Sequence, residues 1–433
     1  MEKNKARRDE SRVSRRDFIK TSAAVSLSAM LAHGSNVFAE GSDAIRVGLI
    51  GCGGRGSGAA KDCLESADGV ELISMGDLFK DRLDDTFKRL KGRFPDKVKV
   101  TPDTSFVGFD AYEKVIACDV NMVILATPPG FRPMHLKAAI EAGKHVFMEK
   151  PVAVDPVGVR SILASSELAK KKGLGIVAGT QRRHQAHYVE IIRRIHSGAL
   201  GDIASAQCYW NQGGMGDYWK HYERDGLSDM EWQCRNWSVF TWLSGDHIVE
   251  QHVHNLDIIN WALGSHPIKA LGMGGRQVRV GPRAGNIYDH FAVEFEYPNG
   301  VRVLSMCRQM PGCTDQVAER VIGTKGLSYT NSGMGKIEGA NAFLYGGPNP
   351  NPYVVEHADL IRSIRKGEPL NEGKNVAEGT LAAVLGRMST YTGKELTWDW
   401  AMNESRLDLS PPKYEFGDLP AAPVAVPGET RPI

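Results

Sequence analysis

Residues 44–77 read AIRVGLIGCGGRGSGAAKDCLESADGVELISMGD, and the order of residue types in this stretch decides the fold. A short apolar run at 45–50 ends in glycines, a helix-compatible stretch follows, and a second apolar run ends in Asp77. That order is strand, turn, helix, strand. Gly51, Gly53 and Gly56 satisfy the spacing GxGxxG, with Gly54 and Arg55 inside the same turn. Glycines at those places permit a tight turn, close approach of backbone to a pyrophosphate and close helix packing, while the helix N-terminus offers N–H donors to phosphate. Residues 51 and 53–56 are therefore the candidate cradle for a dinucleotide. Asp77 stands 21 residues after Gly56 at the end of the second strand, where its carboxylate can accept bonds from ribose hydroxyls. A carboxylate there repels a ribose phosphate, so the reading favours NAD; Lys80 and Arg82 nearby keep NADP as the lesser alternative.

Outward from this unit, strand-like runs recur at 98–100 (VKV), 120–127 (VNMVILAT), 145–150 (HVFMEK) and 175–180 (GIVAGT), separated by helix-compatible segments such as 131–142 and 155–172. This is the rhythm of a parallel sheet. Asp155 before Pro156 reads as a helix N-cap followed by the first helical residue. Ligands of such sheets lie beyond the carboxyl ends of the strands. Thr127-Pro128-Pro129 and Glu149-Lys150-Pro151 occupy those ends, beside the expected nicotinamide half, which makes Lys150 a candidate acid or base. Farther on, HFAVEFEY alternates Phe291, Val293, Phe295 and Tyr297, and PNG turns the chain into VRVLSMCR, a hairpin. With further strand candidates at 203–210, 268–280 and 317–322, the second domain reads as an open, largely antiparallel sheet with helices on one face. The fold class is thus α/β: an N-terminal Rossmann domain over 44–175, a C-terminal α/β domain over 176–409 whose late helices near 354–366 and 376–391 return toward the first, and a Pro-rich extended arm over 410–433.

Before the glycine unit, SRRDFIK (14–20) leads into TSAAVSLSAMLA and small residues ahead of Glu40. This resembles a twin-arginine export signal over residues 1–39, which implies passage through the twin-arginine translocase and a periplasmic or otherwise exported location. The apolar run 23–32 is too short to span a bilayer. That route carries folded proteins, which accords with a cofactor loaded inside and tightly bound. The 53 basic residues nearly match the 51 acidic ones, and part of the excess lies in the signal, so nothing points to nucleic acid. Seven cysteines without paired spacing imply neither a disulfide framework nor a zinc site.

The segments GLIGCGGRG and ATPPGFRPMHLKAAIEAGKHVFMEKP, followed by a later helix rich in His and Asp, resemble the Gfo/Idh/MocA family of NAD(P)-dependent oxidoreductases over nearly the whole chain after the signal. The resemblance implies that Lys150 lies beside nicotinamide and substrate, that Thr127, Pro128, His135 and Glu149 border the cofactor, and that the open sheet face forms a homo-oligomer. It also implies an Asp and, four residues on, a His acting as acid/base; Glu250 and His254 hold those places, so the carboxylate departs from the family pattern by one methylene.

The stretch SGDHIVEQHVHNLDIINWALG (244–264) lacks proline between its bounding glycines and reads as one helix. Its His247, Glu250, His254, Asp257 and Trp261 are spaced three and four apart and share a stripe. Oxidising a secondary alcohol requires removal of the hydroxyl proton as hydride leaves carbon. Histidine titrates near neutrality and can take that proton, a carboxylate one turn away can orient it, and Lys150 can favour the developing alkoxide. A metal held by His247, Glu250, His252 and His254 is disfavoured, because HExxH is absent and residues 252 and 254 point apart on a helix. Gln181, Arg182, Arg183, His247, Asp257 and the tryptophan-bearing QCRNWSVFTW, with Arg235, Trp237 and Trp242, are candidates for a sugar site, since aromatic faces and guanidinium forks suit rings and hydroxyls. Three functions follow. The first is an oxidoreductase acting on a sugar, sugar derivative or polyol, returning hydride within one site because no soluble NAD pool exists outside the cytoplasm. The second is an NAD-dependent glycosidase working by transient oxidation, elimination and re-reduction. The third, a sugar-sensing module without activity, leaves Lys150 and His254 without purpose.

Overall fold

The computed structural model describes residues 44–213 and 221–433, so the export-signal reading of 1–39 lies outside the described residues. Parallel strands β1 (Ile45–Ile50), β2 (Val70–Asp77), β3 (Ser105–Val107), β4 (Met122–Leu125), β5 (His145–Met148) and β6 (Ile176–Ala178) form one sheet in the order β3-β2-β1-β4-β5-β6. The helices between them are α1 (Gly54–Ser66), α2 (Lys80–Arg93), α3 (Ala111–Ala117), α4 (Arg132–Glu141) and α5 (Pro156–Lys172). β4 is buried at every position, as a parallel strand covered on both faces must be. Winding reverses between β1 and β4, and a crevice opens beyond their carboxyl ends. α5 begins where its sequence demands: the Asp155 carboxylate accepts the Gly158 N–H at 2.7 Å and Gly173 closes the helix at φ 66°.

One strand differs from expectation. Residues 98–100 do not form the third strand; Val98 makes only a single bridge to Leu72, and the strand proper is Ser105–Val107. Pro102 opens a tight turn over 102–104 and interrupts the edge, leaving two short pieces against β2.

The second sheet has nine strands: β7 (Ile203–Gln212), β8 (Lys269–Gly275), β9 (His290–Glu296), β10 (Arg302–Gln309), β11 (Gln316–Gly323), β12 (Gly326–Asn331), β13 (Met334–Gly339), β14 (Phe343–Leu344) and β15 (Leu396–Thr397). Their order is β14-β13-β12-β11-β7-β10-β9-β8-β15, antiparallel throughout except for β7 beside β10. Phe291, Val293 and Phe295 face inward, and the hairpin turns through Asn299 and Gly300, both at positive φ. β8 stops at Gly275, short of the expected 280, because the N–H groups of Gln277, Val278 and Arg279 bend around the Asp289 carboxylate at 2.6–2.9 Å.

The helices of this half are α6 (Ala186–His196), α7 (Asp229–Arg235), α8 (Thr241–Ser244), α9 (His247–Glu250), α10 (Val253–Leu263), α11 (Pro352–Arg365), α12 (Gly373–Thr392) and α13 (Trp398–Asn403). α12 packs close on the sheet: a Cβ at Gly386 would stand 2.8 Å from the Phe295 ring. α11 buries Leu360 and Ile361 among Val47, Leu49, Leu72 and Met122 of the first sheet. Along the final segment, the Leu409 N–H reaches Asp155, the Gly417 carbonyl accepts from Met230 N–H, and the rings of Tyr414 and Phe416 lie 5.6 Å from Phe131 and 5.2 Å from Phe109. Among the described residues no helix is long and apolar enough to cross a membrane.

Candidate active site

A cavity of about 790 Å³ opens beyond the carboxyl ends of β1 and β4 and brings the glycine turn, the Glu149-Lys150 strand end and the α9–α10 region onto one lining. At the turn, Gly51 has φ +97° and a Cβ there would stand 2.6 Å from the Ala126 backbone; a Cβ on Gly56 would stand 1.8 Å from the Gly51 carbonyl oxygen. Gly53 and Gly54 face open space. The first helical N–H groups of α1 have no side-chain cap, which leaves a cradle of donors with no Cβ in the way, as a pyrophosphate requires. Gly56→Ala is accordingly expected to displace the turn and to lower the nicotinamide content of purified protein at least tenfold, read by absorbance after denaturation.

Two cofactor candidates do other work first. The Asp77 carboxylate accepts the Cys52 N–H at 2.6 Å and the Phe79 N–H at 2.8 Å, so it stitches the glycine turn to the end of β2. Burial raises its pKa, opposed by those N–H donors. It still lines the cavity, and each oxygen has a further lone pair for a ribose hydroxyl. The Arg55 side chain turns to Glu149 at 2.5 Å, with Glu356 and Asp62 at 3.5 and 3.6 Å, so the turn presents the backbone N–H of this residue and not its guanidinium. Thr127, Pro128 and His135 line the cavity as well. His135 meets Thr127 Oγ1 at 3.2 Å and stacks on Tyr112; burial and then Arg132 push its pKa down to about 3, so its ring is neutral. Arg132, which the sequence reading passed over, is buried and donates to the carbonyls of Thr127 at 2.6 Å and Glu149 at 3.0 Å, tying two strand ends together.

The helix expected over 244–264 is interrupted. Asp246 sits at φ +73°, α9 ends at Glu250, and α10 starts at Val253. Between them the His252 N–H reaches five residues back to His247, and the His254 N–H bonds to Gln251 rather than to Glu250. This is a π-type bulge. It frees the Glu250 carbonyl, which accepts from Lys150 Nζ at 2.5 Å while the Glu250 carboxylate holds the same nitrogen at 3.0 Å. Glu250 therefore grips Lys150 and does not orient His254, a correction to the expected Glu250–His254 pairing. His254 is 7% exposed and stacks on Trp210 at 5.8 Å, whose far neighbour Arg182 is bound to buried Glu319 at 2.6 Å. Burial, then the charges of Lys150, Arg182 and Arg55, hold its pKa well below the usual imidazole value, so the ring is a neutral proton acceptor at pH 7.

Of the sugar-site candidates, Gln181 and Trp237 line the cavity, and Gln181 donates to the Tyr353 hydroxyl at 3.1 Å. Five others, Arg182, Arg183, Trp242, His247 and Asp257, are not in its lining. Arg183 and Asp257 form a bidentate pair at 2.7 and 2.8 Å, with the Arg183 guanidinium over Trp261. His247 bonds to Asp246 and packs against Phe291, because the bulge breaks the stripe it was expected to share with His254. Arg235 lies over Phe79 at the far end of the cavity, and Trp242 donates to Gln233. Among the described residues no group of three His, Cys, Asp or Glu comes together to hold a metal; the His252 ring meets Ser305 Oγ at 2.7 Å. Tyr353, Arg279, His221 and Tyr222 also line the cavity, and no local signal marks them, since their distant chain positions meet only in the fold.

Comparison with known proteins agrees with this architecture. Residues 45–180 match a family model described as "Oxidoreductase family, NAD-binding Rossmann fold", and residues 188–328 match the "GFO/IDH/MocA C-terminal domain". Inositol 2-dehydrogenase 4 of Saccharopolyspora erythraea is 32% identical over 164 residues, 38% of this chain and 44% of that protein. A 2,7-anhydro-N-acetylneuraminate hydratase of Escherichia coli is 29% identical over 185 residues, 42% of this chain and 44% of that protein. The chain thus spans less than half the length of these two curated relatives. The crystal structure of an aldose-aldose oxidoreductase from Caulobacter crescentus superposes with a TM-score of 0.64 at 18% identity, over 82% of this chain and 99% of that one, a likeness of fold.

Proposed function

The chain belongs to the Gfo/Idh/MocA family of NAD-binding oxidoreductases, and from that premise we propose that it moves hydride between a sugar, inositol or other polyol and NAD. The observation that carries the reading is Lys150, held by both the carbonyl and the carboxylate of Glu250 in a lining that it shares with the glycine turn and with neutral His254. NAD, when bound, supplies the hydride acceptor and donor. The protein does the rest. Lys150 donates to the reacting hydroxyl oxygen and stabilises negative charge as it develops there. His254 takes the hydroxyl proton at a ring nitrogen and returns it in the reverse direction. Glu250 keeps the ammonium aimed and offsets its charge before substrate arrives. Gln181 and Trp237 border the substrate half.

The same proposal includes export through the twin-arginine route, on the strength of SRRDFIK at 14–20, with NAD loaded before export and retained. Hydride taken from one sugar is then returned to a second, or to the same one. A second reading, the glycosidase working by oxidation, elimination, water addition and re-reduction, draws on the departure at Glu250 and on a relative named as a hydratase. To separate them, the full chain is purified without added cofactor and its near-ultraviolet absorbance followed on mixing with inositols, aldoses and aryl glycosides. The first reading expects reduction that persists until a second sugar is added; aglycone release without lasting reduction would replace it with the second.

A further inference from the structure

The cavity lining includes a cation, Arg279, that the hydride-transfer chemistry does not use. Arg279 lines the cavity from the loop between β8 and β9, and its backbone is fixed because the 277–279 N–H groups clasp the fully buried Asp289. Its Nη2 donates to the Gln309 amide oxygen, and the amide nitrogen of Gln309 donates to Gln251, the residue after Glu250. That chain of amides links the guanidinium to the residue after Glu250, whose carbonyl and carboxylate hold Lys150.

Arg279 Nε is buried without an acceptor, and among the described residues the guanidinium forms no ion pair with a carboxylate. The two acids nearest in charge are already spent: Asp246 takes the N–H groups of His247 and Tyr288 and the Tyr391 hydroxyl, while Asp289 takes three N–H groups and His290. The neighbouring cations add nothing to the site. Arg276 spends its donors on the carbonyls of Arg279 and Gly285, and Arg283 is paired with Glu223. A half-buried cation without an ion pair is costly unless an anion completes it. Of the other cavity arginines without an ion pair among the described residues, Arg82 and Arg89 stand on α2, just after Asp77, and Arg132 is spent on the carbonyls of Thr127 and Glu149; the free donors of the planar Arg279 guanidinium match the two oxygens of a carboxylate.

We propose that Arg279 receives a carboxylate of the substrate, so that this site takes an acidic sugar, a uronate or an aldonate, with its reacting hydroxyl at Lys150 and His254. The proposal rests on the hydride-transfer reading for the second half of that placement and on Arg279 alone for the first.

The test is calorimetric binding to the full-length holoprotein of three pairs, glucuronate with glucose, galacturonate with galactose and gluconate with glucitol, alongside nicotinamide absorbance. Wild type is expected to bind at least one acid about 10- to 100-fold more tightly than its neutral partner. Arg279→Met should bring that ratio near one, and Arg279→Lys should keep part of it, which serves as the reading if the methionine variant does not fold. No acid preference in wild type, or an undiminished preference in both variants, overturns the proposal. Acid preference lost in the variant without any change of nicotinamide absorbance upholds the carboxylate site while sinking hydride transfer; reduction by sugars with no effect of Arg279 does the reverse.

Discussion

Lys150→Met is expected to slow reduction of bound nicotinamide by about 10²- to 10³-fold, the usual cost of removing one donor aimed at a developing oxyanion. The size follows from what surrounds the ammonium. Lys150 Nζ is held at two points by Glu250, so it meets the substrate oxygen already oriented, and water cannot take its place at equal cost. The side chains of the pair are 14% and 12% exposed, so removing the lysine also leaves the Glu250 carboxylate without its cation. Single-turnover absorbance measures the rate, and nicotinamide released on denaturation measures occupancy. A loss of rate with cofactor content retained places the effect on the chemical step; a parallel loss of both assigns Lys150 to cofactor holding instead.

Replacing His254 with alanine removes the proposed proton acceptor and is expected to lower kcat by about 10²- to 10⁴-fold with a smaller change in KM. The pH profile of wild type separates this role from simple packing against Trp210. The base must be neutral to accept a proton. Burial, then Lys150, Arg182 and Arg55, lower the His254 pKa well below its ordinary value, so the neutral form persists as pH falls through 6.5. The acid limb of kcat for alcohol oxidation should therefore lie well under pH 6.5, and it should vanish from the residual activity of the variant. An acid limb centred at 6.5 or above contradicts the assignment.

The nucleotide half of the fold was legible because its signals are local. The GxGxxG turn needs glycine at 51 for its φ of +97° and at 56 for the close approach of the Gly51 carbonyl, and both demands are met within six residues. Asp155-Pro156 likewise caps α5 with its own side chain. The hairpin at 298–300 is of the same kind. What escaped the sequence depends on residues far apart in the chain. No proline or glycine lies between 246 and 263, so nothing local announces the bulge; Asp246, at positive φ ahead of α9, is itself held from far along the chain, its carboxylate accepting from Tyr288 N–H at 2.7 Å and from the Tyr391 hydroxyl at 2.5 Å. Once that bulge exists, Glu250 turns to a lysine 100 residues earlier, and His247 leaves the stripe. Arg183 and Asp257, each suited to a sugar site by type, satisfy one another across 74 residues. Residue type alone does not separate a side chain that faces substrate from one that has already found its partner.

Under the proposed function, hydride passes between a sugar carbinol and NAD in the cavity shared by Lys150 and His254. The direct measurement is transfer of deuterium: holoprotein is mixed with polyols and sugars deuterated at their carbinol carbons, and the nicotinamide recovered after denaturation is weighed by mass spectrometry. The dihydronicotinamide is expected to gain one deuterium from at least one substrate in wild type and to lose that gain in Lys150→Met. Turnover of a substrate with no deuterium ever reaching the nicotinamide would contradict it.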